Sequence, residues 1–271
     1  MPKKVKPVLR YPGGKSRVAN TILKYIPNDY REFREPFVGG GSIFIALKQA
    51  VPDSTHFAIN DINSNVSLFW KVLQEDGKLF KNTVVSMKDK FGTGRELFKY
   101  YRDRDAEWSD FERAVRFFIL NRITFSGLID SGGYSQESYD KRFTDSIINR
   151  LIPLSNLIQN IEITNTDYSE FLEKDGEDVF LYLDPPYFSS TKSMLYGKNG
   201  DLHKNFEHEK FARNIKKCKH QWLITYDDSP EIRGLFDFAH ITCWEMAYGM
   251  TNVNREKSRR GNELIITNYE I

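Results

Sequence analysis

Apolar positions change their spacing several times along this chain. Arg17 to Ile26 carries helical spacing, and Pro27 ends it, because a residue before proline is pushed out of the helical region. Arg34 to Val38 reads as a short strand running into Gly39-Gly40-Gly41, and Ser42 stands where it would cap a helix reaching about Ala50. Thr55 to Ile59 is a second strand, ending at Asn60-Asp61. Strand, glycine loop, helix, strand is half of an open parallel sheet. From Ser64 to Ile152 the spacing is mainly helical; Ala114, Phe117, Phe118 and Asn121-Arg122 fall along one amphipathic helix. A loop-rich piece from Ser126-Gly127 to Ser135 interrupts it. Strand patterning returns at Ile161 to Thr164. Val179 to Leu183 is a continuous apolar run, as expected of a parallel strand buried on both faces, and it stops at Asp184-Pro185-Pro186-Tyr187. A helix from Glu207 to about Cys218 and strands at Gln221 to Tyr226, Ile241 to Ala247 and Glu263 to Thr267 follow. The pattern predicts an α/β sheet domain over residues 1–63 and 153–271, split by a helical insertion over 64–152.

Composition narrows the classes. The chain has 271 residues, enough for one large α/β domain with an insertion, and its 28% charged and 40% hydrophobic content is that of a folded protein. A net charge of +2 argues against binding nucleic acid through bulk charge but leaves room for a local basic groove. Cys218 and Cys243 form neither a metal-ligand spacing nor a disulfide framework, which suits a cytoplasmic protein. Lys3, Lys4 and Lys6 are followed by no apolar stretch, so no secretory signal is expected. No run of about 20 apolar residues exists to span a membrane. His203 and His208 flank Phe206 near a predicted helix start, and no metal is expected.

The chemistry concentrates in three strings. Asp184-Pro185-Pro186-Tyr187 leaves the carboxyl end of a buried strand, where open sheets bind ligands. Two prolines remove two donors and leave carbonyls as free acceptors. The Asp184 carboxylate and the Pro185 carbonyl suit the two N–H groups of an amine on a flat heterocycle, and Tyr187 supplies a face for stacking. Holding both hydrogens aims the nitrogen lone pair at an incoming group, which is catalysis by positioning and electrostatics without a covalent intermediate. Glu35-Pro36-Phe37-Val38-Gly39-Gly40-Gly41-Ser42 puts glycines between a strand and a helix N-terminus, where a ligand approaches backbone closely. Asp61 follows 20 residues after Gly41, placed to accept from ribose hydroxyls. This loop alone does not separate a dinucleotide from S-adenosylmethionine. Tyr11-Pro12-Gly13-Gly14-Lys15-Ser16 ends like a P-loop, but Leu9 stands where that motif needs its first glycine, and no strand precedes it.

Together these strings resemble the Dam-type (D12 class, alpha-group) DNA adenine N6-methyltransferases. The family pattern is an aromatic-x-Gly-Gly-Lys, then EPFxGxGS, Asp-Ile-Asn and DPPY, in that order, as at Tyr11–Lys15, Glu35–Ser42, Asp61–Asn63 and Asp184–Tyr187. The resemblance implies a Rossmann-like, mostly parallel seven-stranded sheet with an antiparallel last strand and a helical target-recognition insertion. It implies transfer of the methyl group of S-adenosyl-L-methionine, leaving S-adenosyl-L-homocysteine, to the N6 amine of an adenine flipped from duplex DNA. Tyr11, Lys15, Phe37, Gly39, Gly41, Asp61, Asp167, Tyr168 and Asp184 would hold the cofactor; Asp184, Pro185, Pro186 and Tyr187 would carry the reaction. The alternative for Asp167 is a helix N-cap for the segment after it. Candidate DNA contacts are Asn121, Arg122, Ser126, Tyr134, Ser135 and Arg142 in the insertion, and Arg255, Lys257, Arg259 and Arg260 in a loop between the last two strands, which a solvated charged turn would explain as well. Members that read GATC usually carry Arg-x-Asn after the Asn-Gly-Leu-like string; here Ile129-Asp130-Ser131 follows Ser126-Gly127-Leu128, so a target other than plain GATC is expected, with Gly132 to Arg142 as the reading loop. Expected partners are double-stranded DNA and a cognate restriction endonuclease, for a monomer or weak dimer in a bacterial, archaeal or phage setting. Two rival readings stay open: a cytosine-N4 methyltransferase, which more often carries Ser where Asp184 stands, and a catalytically silent DNA-binding module.

Overall fold

The structure is a computed structural model that describes residues 4–102, 107–129, 132–188, 206–247 and 260–271, the side chains of 245–247 and 260–262 excepted. One sheet contains β1 (Glu32–Glu35), β2 (His56–Asn60), β3 (Glu162–Thr164), β4 (Val179–Leu183), β5 (Gln221–Asp227), β6 (His240–Ala247) and β7 (Arg260–Thr267), in the order β3-β2-β1-β4-β5-β7-β6. Pairs among β1 to β5 are parallel; β7 runs antiparallel to both β5 and β6. This is the mostly parallel methyltransferase sheet that the resemblance implies. The chain moves outward from β1 to β2 and β3, then returns to place β4 on the other side of β1. The carboxyl ends of β1 and β4 therefore flank a topological switch point, the place where such sheets leave a crevice for ligands.

The five residues of β4 are all buried, with Phe180 and Tyr182 turned to one face and Val179, Leu181 and Leu183 to the other. The second face is covered by Phe171 and Leu172 of α10 (Tyr168–Glu173), Phe211 and Ile215 of α11 (His208–Lys217) and Ile232 of α12 (Pro230–Leu235). The first face is covered by α2 (Ser42–Lys48) and α3 (Ser64–Glu75), which follow the short α1 (Ala19–Ile22). Residues 64–152 supply α3, α4 (Gly77–Lys90), α5 (Gly94–Arg102), α6 (Asp110–Ile123), α7 (Gln136–Arg142) and α8 (Asp145–Ile148), and enter α9 (Leu151–Leu157). Phe44 of α2 meets Phe57 of β2 and Trp70 of α3, while Phe69 of α3 stacks on Phe118 of α6. One apolar core thus runs from the sheet into the helices. Residue 64 marks a change in chain course, not a break in the core.

Three local expectations need correction. The segment expected as one helix over Arg17 to Ile26 is broken into 3-10 turns on either side of α1, although Ile26 is extended before Pro27 as expected. β1 ends at Glu35 rather than Val38, because Pro36 has no N–H to continue a ladder. Ser42 caps nothing: Gly41 is the N-cap of α2, in the left-handed region at φ 67°, and the Ser42 hydroxyl pairs with that of Ser16 at 2.8 Å.

Candidate active site

The loops after β1 and β4 enclose a cavity of about 390 Å³. Its lining includes every residue expected to hold a cofactor, Tyr11, Lys15, Phe37, Gly39, Gly41, Asp61, Asp167, Tyr168 and Asp184, together with Pro185, Pro186 and Tyr187.

The glycine loop is shaped by its neighbours. Gly39 (φ 44°) and Gly41 (φ 67°) occupy backbone conformations that other residues rarely adopt. A Cβ at Gly39 would lie 2.8 Å from the Tyr11 ring, and one at Gly41 2.8 Å from the Trp70 ring. At these two positions the glycines admit protein rings and not, as the sequence suggested, a ligand alone. Asp61 fixes the same loop: its two oxygens accept from Gly39 N at 3.0 Å and Asn63 N at 2.9 Å. Trp70 Nε1 donates to Gly39 O at 3.1 Å. Asn60 ties three segments together, donating to the carbonyls of Pro36 and Thr166 and accepting from Thr166 N.

Asp184 is held from two sides. Lys15, only 2% exposed, donates to both carboxylate oxygens at 2.8 and 3.0 Å and to Gly13 O at 3.1 Å. Thr225 Oγ1 donates to Asp184 Oδ1 at 2.8 Å and lies 3.0 Å from the Tyr182 hydroxyl. The next two residues of β5 also grip the loop after β4. Tyr226 stacks on Tyr187 at 5.9 Å between centroids, and Asp227 Oδ1 accepts from Phe188 N at 2.9 Å. His208 Nδ1 pairs with the Tyr226 hydroxyl from behind. The Lys15 ammonium also sits 4.8 Å from the centre of the Tyr187 ring. Lys15, expected against the cofactor, lines the cavity and also pairs with the Asp184 carboxylate.

Charge and aromatic surface in the cavity suit a cationic nucleoside. Burial raises the Glu35 carboxyl well above its usual range, and nearby Asp184 adds to the shift. Burial likewise pushes Asp61 up to about 6. Glu35 Oε2 is buried with no hydrogen-bond partner. Glu35, Asp61, Asp167 and Asp184 all line the cavity, and Lys15 is the one lysine among its described lining residues. With one carboxyl oxygen left unsatisfied, that wall fits a ligand bearing positive charge and N–H donors. Phe37 stacks on Tyr168 at 5.5 Å and Phe206 closes on both rings, giving a wall for a flat base. S-adenosylmethionine has these features. Asp167 satisfies both of its readings: it caps α10 by accepting from Ser169 N at 2.9 Å, and it lines the cavity. Glu35, Tyr182, Thr225 and Phe206 were not singled out from sequence. Glu35 had a signal, since it opens the EPF string; the others stand at positions that only the sheet register and the packing of α11 reveal.

The residues expected to touch DNA divide. Asn121 and Arg122 are 2% and 5% exposed, and their side chains serve the protein. Asn121 Oδ1 accepts from Arg10 N at 2.8 Å and its Nδ2 donates to Arg10 O at 2.7 Å. Arg122 donates to Arg142 O at 2.7 Å and Val8 O at 3.0 Å. These two are therefore corrected from DNA contacts to ties between α6 and the segment leading to Tyr11. Ser135 caps α7 and Tyr134 donates to Gln136, while Ser126 holds a left-handed turn at φ 54°. A bridge between Thr124 and Tyr134 closes that turn and leaves Phe125 63% exposed. Arg142 is exposed at the end of α7. Arg260 begins β7, and Arg255, Lys257 and Arg259 lie outside the described residues. No helix among the described residues is long and apolar enough to cross a membrane, and no group of three or more His, Cys, Asp or Glu there is arranged to hold a metal.

Comparison with known proteins gives the family. The type II methyltransferase M.MjaIII of Methanocaldococcus jannaschii is 27% identical over 98% of this chain and 99% of its own. The type II methyltransferase M1.LlaDCHI of Lactococcus lactis subsp. cremoris is 24% identical over 98% of this chain and 96% of its own. A DNA adenine methylase of Haemophilus influenzae is 25% identical over 97% and 93%. The family model of the D12 class N6 adenine-specific DNA methyltransferases matches residues 11–250, which takes in the glycine loop, Lys15 and the Asp184–Tyr187 loop, and the chain belongs to that family.

Proposed function

We propose that residues 1–63 and 153–271 bind S-adenosylmethionine and carry the transfer of its methyl group to the N6 amine of an adenine flipped from duplex DNA, while 64–152 reads the target. The observation that carries the assignment of roles is the Asp184 carboxylate, fixed by Lys15 and Thr225 beside a stacked Tyr187. A carboxylate offers about four acceptor sites. Lys15 and Thr225 fill three, and the remaining site on Oδ2 and the Pro185 carbonyl receive the two amine hydrogens. Because Lys15 balances its charge, Asp184 orients the neutral amine rather than deprotonating it before attack. Tyr187, held from behind by Tyr226, stacks on the extruded base.

The cofactor supplies an electrophilic methyl on a sulfonium. Glu35 and Asp61 suit its ammonium and ribose hydroxyls, and Phe37 and Tyr168 its adenine. In the insertion, Tyr134, Ser126 and Arg142 remain contacts to DNA, with Gly132 to Arg142 as the reading loop. Phe125, exposed on its turn, offers an apolar wedge to the step that the flipped base leaves. Transfer of tritiated methyl from S-adenosylmethionine to unmethylated genomic DNA, with nucleosides separated after digestion, tests the assignment: label in N6-methyladenosine is expected, and label in N4-methylcytidine would overturn the base.

A further inference from the structure

Where α6, α7 and the N-terminal segment meet, four arginines gather. Arg122 is surrounded electrostatically by Arg10, Arg142 and Arg150, and Arg10 by Arg142; no carboxylate is among the charges acting on either. Burial and its three neighbours push the Arg122 guanidinium down to about 9. Among the described residues its own hydrogen bonds go to the carbonyls of Arg142 and Val8. None of the four forms an ion pair among the described residues. A buried cation set among three others raises a positive potential; the Glu137 carboxylate feels Arg142 at the exposed rim, but its own ion pair is with Lys141, one turn along α7.

The cluster is also organised. Asn121 holds the Arg10 backbone from both sides, and Arg10 Nη1 donates to Thr124 O at 2.9 Å and to Ser138 Oγ at 3.0 Å. Those bonds fix the guanidinium against α7 and leave Nε and Nη2 without an acceptor among the described residues. Arg142, exposed at the end of α7, and Arg150, half-buried just before α9, give no guanidinium donor to any described protein acceptor. A guanidinium presents its donors as a planar fork that matches the paired oxygens of a phosphodiester. The next residue after Arg10, Tyr11, lines the cavity, while the Arg10 guanidinium is turned to Thr124 and Ser138.

We propose that Arg10, Arg142 and Arg150, with Arg122 behind them, form a phosphodiester-binding site that holds the DNA backbone. The inference rests on the DNA methyltransferase reading and adds where the backbone is gripped. Contacts to phosphate carry affinity and register, not sequence. The site thus accounts for binding strength, with Arg142 on the backbone, while reading is left to the rest of the loop from Gly132.

Anisotropy of a labelled unmethylated duplex, titrated with the full chain between about 50 and about 200 mM KCl, gives the slope of log affinity against log salt. Arg142→Gln combined with Arg150→Gln is expected to reduce that slope by about 1.8, at about 0.9 for each phosphate no longer neutralised, for any duplex sequence. Lysine at both positions keeps the charge and most of the slope. S-adenosylmethionine affinity by calorimetry, unchanged in both variants, reports an intact fold. If the glutamine pair loses cofactor binding, Arg142→Gln alone reads the same quantity, with a drop of about 0.9. A glutamine variant that binds cofactor normally and keeps the wild-type slope overturns the site. A wild-type protein that binds cofactor but neither binds nor methylates duplex DNA overturns instead the reading on which the site rests.

Discussion

Lys15 Nζ lies 2.8 and 3.0 Å from the two oxygens of Asp184, joining the first glycine string of the chain to the Asp184–Tyr187 loop 169 residues later. The lysine is buried and the aspartate partly open to the cavity. Removing one partner from such a pair leaves an uncompensated charge, at a cost of about 3 kcal/mol. Lys15→Met is therefore expected to lower stability by about that amount and methyl transfer by roughly 10²-fold, since it frees the orientation of Asp184. Urea unfolding and single-turnover transfer measure the two effects. Wild-type turnover in this variant would remove Lys15 from the mechanism.

Asp184→Ala abolishes methyl transfer but keeps duplex affinity within a few-fold, because phosphate contacts lie elsewhere. Binding of a labelled duplex and radiolabel incorporation separate the two. Normal incorporation would rule out the acceptor role of Asp184.

Thr225 acts on the reaction only through Asp184. Thr225→Val loses a hydrogen bond to a charged group, worth about 1.5 kcal/mol or more, and is expected to lower kcat about tenfold with KM for DNA unchanged. Thr225→Ser restores the donor and the rate. If valine and serine behave alike, the hydroxyl has no such role.

Asp61 is expected to set a pH limit on cofactor binding. Burial raises its carboxyl to about 6, so the folded protein binds a proton there that the unfolded chain has already lost above its usual carboxylate range. Between those two values the stability of the free protein declines as pH rises. The ionised form accepts best from ribose hydroxyls, so cofactor affinity falls as pH drops through about 6. Calorimetry across that range should show the fall in the wild type and its absence in Asp61→Asn. A flat wild-type profile would contradict the ribose assignment.

Asn121 is a structural tie. Asn121→Ala leaves the N–H and carbonyl of Arg10 without partners and is expected to cost about 2 kcal/mol, read by urea unfolding. A variant of unchanged stability with weakened duplex binding would return Asn121 to the DNA interface.

Much of this enzyme is legible before any coordinates. The continuous run Val179–Leu183 states a strand buried on both faces, and the structure places β4 on those five residues. The glycine loop, Asp61 and the Asp184–Tyr187 string each announce a chain turn at a strand end, which is a local property, and topology brings strand ends together. What sequence leaves open is which side chains meet across that crevice. Nothing near Lys15 points to Asp184, and nothing near Thr225 does either; the first pairing depends on how the N-terminal segment folds over the sheet, the second on the register of β4 against β5. Asn121 and Arg122 show the reverse case. The family resemblance of their string suggested DNA, but burial at the end of α6 turns both inward to backbone groups that would otherwise lack partners. Periodicity and turn chemistry thus determined the elements and the ends where ligands bind, because both act over a few residues. The partners of each charge were decided by the tertiary structure, because burial and Coulomb interactions depend on distances through space.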